Sequence, residues 1–475
     1  MINNQDIYSH SLSLLSSLNN AKINHKPIND FFIYKDWDLW AGYQARIFHD
    51  LSLGDSKKID KKEQSFSLKG RIVLSLMAIY SFFSIIIASF KKLDVVLYSV
   101  DLESDREHLS DKRISHIYEF LKKEKINFLE IFHTIPNKKS LFRMIRRLRP
   151  AIYLESIGFF SKFFVKNITK NIPDNADISN LGEADTKVRV VLKKYLERKN
   201  LSIFLIKRIK RILNILKPKY FWSIDDARHT SEILVACGEL GIKSSFFQHG
   251  HYTKYQVGFF NYSNSVKKIP KPDYLVLWSE YWMGELLRLN SIYKEDQIFV
   301  SGYPNYPKID LVIKNKKPDV ISVLIPYETV APKAEVKEYI KELEQEGIKI
   351  VFKVRQDMDE GKQMDEYGLS RGATSVIKNI EEAVKDSDIV AGVYSTFLYD
   401  MIPYGIPVAI LKTSMDYEMG MVQNGIAGLI DLDLKNLKSQ IKSIIDAYPK
   451  KFNEIISKIS TKKEFLIEAK KLINL

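Results

Sequence analysis

One segment limits the fold more than any other: residues 219–250 read strand, helix, strand. Tyr220–Ile224 is an apolar run closed by Asp225 and Asp226. Thr230–Leu240 has helical character and stops at Gly241, where a left-handed cap favours glycine. Lys243–Phe247 is the next strand, ending in Gln248, His249 and Gly250. Strands joined through a helix run parallel, because a tight hairpin cannot connect them. A parallel sheet is covered on both faces, so the rest of the chain must keep supplying helices.

The alternation recurs on both sides. Residues 94–100, 126–131 and 151–154 predict strands upstream, with a helix over 113–124 and a polar loop over 171–187. Downstream strands are expected at 273–278, 297–302, 321–325, 349–354, 389–393 and 407–411. Helices over 280–289, 332–346, 380–385 and 395–404 separate them, and further helices follow from 434. A chain of 475 residues, 45% hydrophobic and 27% charged, is long enough for two cores. Residues 267–272 (KKIPKP) are the expected hinge, because proline excludes helix. The expected fold class is α/β, two Rossmann-like parallel-sheet domains facing across a cleft. The expected division is 1–266, with a helical N-terminal extension, and 267–475, with C-terminal helices.

The charge balance points to an anionic partner: 72 Lys+Arg against 58 Asp+Glu, net +14. Basic clusters at 143–149 and 207–211 are interleaved with aliphatic residues, which suits amphipathic helices on a solvated face or an anionic membrane surface. No nucleic-acid signature accompanies the charge, so no nucleic acid is expected as partner. Residues 72–90 carry no charge and reach spanning length, flanked by Lys69, Arg71, Lys91 and Lys92. Serines and a tyrosine within them favour a buried or interfacial helix over a span. The single cysteine, Cys237, lies in an apolar run and reads as a buried thiol in a reducing compartment. The N-terminus has no basic start followed by an apolar block, so no signal peptide is expected.

In open parallel sheets ligands bind beyond the carboxyl ends of the strands, so the informative residues follow each strand. Three such segments resemble bacterial surface-polysaccharide, capsule and lipopolysaccharide glycosyltransferases of the GT-B fold. Residues 244–250 resemble their strand-plus-QHG element. Residues 300–306, with Gly302 and Pro304, resemble the GxP turn that opens the donor half. Residues 388–400 with 405–408 resemble the donor-site strand, Ser/Thr, helix and GxPV element. The resemblance spans about 219–411. It implies a metal-independent transferase moving sugar from a nucleotide-sugar donor to a glycan or lipid-linked acceptor. It also implies an acceptor-side first domain, a donor-side second domain, and no cofactor. Such an enzyme is expected in the cytoplasm, peripheral on the inner face of the plasma membrane.

The residue chemistry points the same way. Lys353 and Arg355 alternate at a strand end and so share a face, where they suit a departing phosphate. Tyr394, Ser395 and Thr396 sit where strand becomes helix, so hydroxyls and backbone amides there suit an anion; Ser395 is equally a helix N-cap. His249, or else Asp225 or Asp226, is the expected catalytic base. Trp37 and Trp40 are aromatic candidates for the acceptor side, with core packing as their ordinary role. Asp-x-Asp tripeptides, as at Asp357 and Asp359, are better explained by chance and helix capping than by metal. Neither a zinc-type Cys/His cluster nor a glycine-rich phosphate loop occurs. Rival activities on this plan are a teichoic-acid-type polyol-phosphate transferase, a nucleotide-sugar epimerase, and a non-catalytic scaffold subunit.

Overall fold

The computed structural model describes residues 4–23, 25–52, 68–101, 111–159, 178–179, 186–224, 229–260, 267–289, 291–304, 320–329, 331–355, 358–370, 372, 374–415, 420–459 and 469–472. Two all-parallel sheets organise it. The first holds β1 (Val95–Val100), β2 (Phe128–His133), β3 (Ala151–Tyr153), β4 (Tyr220–Ile224), β5 (Lys243–Phe247), β6 (Tyr274–Leu277) and β7 (Ile298–Val300). Their spatial order is β7-β6-β5-β4-β1-β2-β3, every neighbour parallel. The second holds β8 (Ser322–Pro326), β9 (Lys349–Lys353), β10 (Ser375–Ile377), β11 (Ile389–Gly392), β12 (Val408–Leu411) and β13 (Gly428–Ile430). Its order is β10-β9-β8-β11-β12-β13, also parallel throughout.

The expected fold class holds, and the expected boundary does not. β6 and β7 extend the first sheet, β6 pairing with β5 through Phe246↔Leu275. The second sheet begins only at Ser322, so the division falls between Val300 and Ser322 rather than at 266/267. The prolines of 267–272 merely lead the chain into β6. The loop expected over 171–187 also carries a short strand, Ile178–Ser179, paired with Lys22–Ile23, and overlaps a helix from Thr186.

Both sheets are nearly continuous runs of buried side chains, as two-sided cover demands. Helix α1 (Asn4–Asn19) and α2 (Leu39–Ser52) build a separate apolar cluster against α7 (Thr186–Leu216). Helix α3 (Leu68–Ser89) lies along edge strand β3; α4 (Ser115–Lys123) packs on β1 and β4, and α5 (Lys138–Arg147) and α6 (Leu154–Phe159) complete the flank beside α3. Helix α8 (Thr230–Leu240) is the crossover from β4 to β5 and ends on Gly241 at φ 69°, the left-handed cap expected. Cys237 within it is fully buried, and burial pushes its thiol well above the ordinary range. Helix α9 (Glu280–Arg288) joins β6 to β7. Helices α10 (Lys333–Gln345), α11 (Glu360–Tyr367), α12 (Ile380–Asp386) and α13 (Thr396–Met401) serve the second sheet. The chain then returns: α14 (Leu437–Ile459) packs on α9, and Ala469 and Leu472 join the core beside β1.

Candidate functional site

In the second sheet the order reverses between β8 and β11, and the crossovers leave to opposite faces there. A crevice must open at the carboxyl ends of those strands. A cleft of about 680 Å³ lies at that point. Tyr327, Glu328 and Thr329 line it from the end of β8, Lys353 and Arg355 from β9, and Tyr394 to Phe397 from β11. His251 closes it from the first domain, its Nδ1 3.1 Å from Thr396 Oγ1. The carboxyl ends of the two sheets therefore meet across one cleft, the GT-B arrangement.

The structure brings Lys353, Arg355, Tyr394, Ser395 and Thr396 together. Lys353 Nζ sits 5.1 Å from the centre of the Phe397 ring and donates to the Val354 carbonyl at 3.2 Å. Arg355 is exposed at the cleft, while its backbone is clamped by Gln363, which accepts from Arg355 N at 2.8 Å and donates to its carbonyl at 2.9 Å. Thr329 and Tyr394 hydroxyls are 3.3 Å apart across the opening. Two cations and several hydroxyls around one space suit a phosphorylated ligand.

Two of the backbone amides expected to hold an anion, those of Tyr394 and Ser395, are already bonded to a carboxyl group. The Glu328 carboxylate accepts from Val393 N at 2.9 Å, Tyr394 N at 2.8 Å and Ser395 N at 2.5 Å. Ser395 Oγ in turn accepts from Phe397 N at 3.2 Å, so this serine is the N-cap of α13. Of the groups assigned to this turn, the Tyr394 and Ser395 amides are taken by Glu328, while the Tyr394 and Thr396 hydroxyls line the cleft against Thr329 and His251. Burial raises the Glu328 carboxyl to about 7, with the three amide bonds pulling the other way. Gly392 packs against this carboxyl group: a Cβ there would meet Glu328 Oε1 at 3.2 Å.

On the first domain the histidine lining the cleft is His251, two residues beyond the expected His249. Gln248 shapes the turn between β5 and His251. Its side chain donates to the Gly250 carbonyl at 2.7 Å and accepts from Trp278 N at 2.9 Å, tying the end of β5 to that of β6. Burial, and secondarily the charge of His249, lower His251 to about 4, so its imidazole is neutral near pH 7. Asp225 and Asp226 follow β4 directly but lie outside the described residues.

Other expected residues lie elsewhere. Gly302, at φ 87°, and Pro304 follow β7; between them the buried Tyr303 donates to Asp400 of α13, so this turn joins the domains without lining the cleft. Trp40 is fully buried, its indole N–H donating to Asn19 Oδ1 at 2.6 Å, and presents no face to a sugar. Trp37 packs on Gly238, where a Cβ would lie 2.5 Å from the ring. Gly238 is near the end of α8, at the amino ends of the strands, so Trp37 is on the side away from the cleft. A second pocket lies between α2, the start of α8 and residues 258–260 and 269–272; none of the second sheet lines it.

Sequence reasoning missed Glu328 and His251. The first had a signal in its place directly after an apolar strand, the second in its nearness to the Gln248–Gly250 turn. No family model matches the chain, and no curated protein matches it. Among solved structures, UDP-GlcNAc 2-epimerase from Neisseria meningitidis bound to UDP-GlcNAc is similar at 13% identity and a TM-score of 0.47, over 80% of this chain and 98% of that one. The UDP-GlcNAc 2-epimerase of Methanocaldococcus jannaschii is similar at 14% identity and a TM-score of 0.47, over 81% and 100%. A calicheamicin glycosyltransferase is similar at 7% identity and a TM-score of 0.47, over 80% and 98%. By its own sheet order and the meeting of the two carboxyl edges, the chain is a two-domain α/β protein of GT-B architecture.

Proposed function

We propose that the chain is a metal-independent glycosyltransferase. It binds a nucleotide sugar in the cleft at the β8/β11 crossover and transfers the sugar to a surface-polysaccharide or lipopolysaccharide acceptor on the first domain. The observation that carries this reading is the convergence of Lys353 and Arg355 with the hydroxyls of Tyr394, Ser395 and Thr396 at the point where the sheet order reverses. As the glycosidic bond breaks, negative charge gathers on the leaving phosphate, and two fixed cations stabilise that state more than the ground state. They supply charge that a divalent ion supplies in other transferases. The base that takes the acceptor proton is His249, which follows β5, or else Asp225 or Asp226, which follow β4 in the sequence. His251, held by Thr396, positions the two domains across the reacting bond.

The test is thermal stabilisation of the protein against UDP, GDP, CMP, CDP-polyols and their sugar conjugates. Binding to the native state alone raises the melting temperature. One nucleotide should stabilise it, and Lys353→Ala should weaken that nucleotide by roughly 10- to 100-fold, the size of a lost charged hydrogen bond. Products then separate the rivals. Donor isomerised without acceptor means an epimerase, and phosphate retained on the acceptor means polyol-phosphate transfer. Binding to no nucleotide favours the scaffold.

A further inference from the structure

Helices α3 and α5 pack against each other outside edge strand β3, sharing a cluster of Val73, Met77, Met144 and Tyr153. Only one side of α3 is used for this. Gly70, Val73, Leu74, Met77, Ser81, Ser84 and Ala88 recur at helical spacing and are buried. The other side is also apolar and faces outward: Ile72 and Ile79 are 55% exposed, Phe82 60% and Phe83 57%, with Phe90 just past the helix end at 86%. Helix α5 continues the surface with Phe142 and Ile145, and Leu148 follows at its end. The exposed apolar side chains amount to on the order of 1,000 Å², above the roughly 300–600 Å² of the largest patch on an ordinary monomer.

The charges around this face have one sign. Lys69 and Arg71 stand at one end of α3, Lys91 and Lys92 beyond the other, and Lys138, Lys139 and Arg146 on α5, all exposed. Residues 68–92 and 135–149 contain no Asp or Glu. We propose that this face seats the protein flat on an anionic lipid bilayer, with α3 and α5 lying in the headgroup plane and their aromatic and aliphatic side chains below it. A basic rim around an apolar centre complements anionic headgroups. A second copy of the chain would set the same basic rim against itself.

The polar residues inside α3 explain why it lies on the bilayer rather than through it. Ser81 Oγ accepts from Tyr153 N at 2.9 Å, Ser84 Oγ accepts from Ala151 N at 3.1 Å, and the Tyr80 hydroxyl donates to the Arg149 carbonyl. These bonds cover the free edge of the sheet. Drawing α3 into hydrocarbon would strip them and leave backbone amides without partners.

The test is flotation of the full chain with vesicles of phosphatidylcholine, alone or mixed with phosphatidylglycerol. Binding is expected to the mixed vesicles, about tenfold or more above the neutral ones, and to fall with added salt. Phe82→Asp with Phe83→Asp should reduce the bound fraction by about tenfold or more, a full apolar side chain being worth that. Melting temperature and nucleotide-induced stabilisation should stay as in the parent, so failure here is separable from failure of the proposed activity. Lys91→Glu with Lys92→Glu, which touches charge alone, provides the second variant and should weaken binding to mixed vesicles only. Absence of binding to either vesicle overturns the proposal. So does a solution dimer that the phenylalanine variant splits, and so does retention in vesicles after an alkaline carbonate wash, the mark of a spanning helix.

Discussion

The two sheets share a strand order, reversing after their first strand, and they use the crevice at that reversal differently. In the first sheet the strand ends carry charges bound to one another. Asp101, after β1, accepts from Arg143 Nε at 2.9 Å, Arg147 Nη2 at 2.8 Å and Thr134 Oγ1 at 2.9 Å. The Arg147 guanidinium lies 3.9 Å over the Phe132 ring, and His133, the last residue of β2, is bonded to Glu155. In the second sheet Lys353 and Arg355 end a strand at the wall of an open cleft, and the buried acid, Glu328, is held by backbone amides. At the ends of β1 and β2 the described charges bind one another, while at the ends of β8, β9 and β11 they line an open cleft. A shared fold sets where a site can form, and the side chains at the strand ends decide whether it does.

The contrast can be broken first at Asp101. Asp101→Asn leaves Arg147, whose side chain has no exposed surface, with an uncompensated charge. Unfolding in urea should show a loss of about 3–5 kcal/mol while nucleotide-induced stabilisation persists. Unchanged stability would mean that this network does not hold the ends of β1 and β2 to α5.

Glu328 sharpens the other side through pH. Its folded value of about 7 lies above the ordinary 4.5, so the folded state holds the proton more tightly. The stability it contributes is full below the unfolded value and is lost as pH rises through the folded one. The loss is about 3 kcal/mol at most. The difference in unfolding free energy between the parent and the non-titrating Glu328→Gln should therefore decline from about pH 5 to about pH 8. A rising difference would show the three amide bonds outweighing burial. The smallest effect is expected at the N-cap: Ser395→Ala should cost about 1 kcal/mol in thermal unfolding. A larger loss of nucleotide binding than of stability there would mark the hydroxyl as a ligand contact as well.

Most strands were legible because each is an apolar run bounded by turn residues. Tyr220–Ile224 and Lys243–Phe247 fall where the pattern puts them. β10 and β13 were not, since three residues at or near a sheet edge are too short to show a period. The cationic pair was legible from alternation along β9. The anion cradle was half legible: the strand-to-helix turn shows in the sequence, but its occupant comes from 65 to 67 residues away. The apolar run at 72–90 announced a helix, and its serines announced a polar contact without naming the strand they serve.

By itself, then, the sequence determined the local order of strands and helices, the parallel α/β class and the residue types waiting at the strand ends. These follow from propensity and periodicity, which act over a few residues. Tertiary structure alone decided that β6 and β7 belong to the first sheet, that His251 rather than His249 reaches the cleft, and that Glu328 fills the amides of 393–395. Hydrogen bonds and ion pairs between distant strand ends depend on which strands become neighbours, and parallel strands leave that choice to long crossover connections.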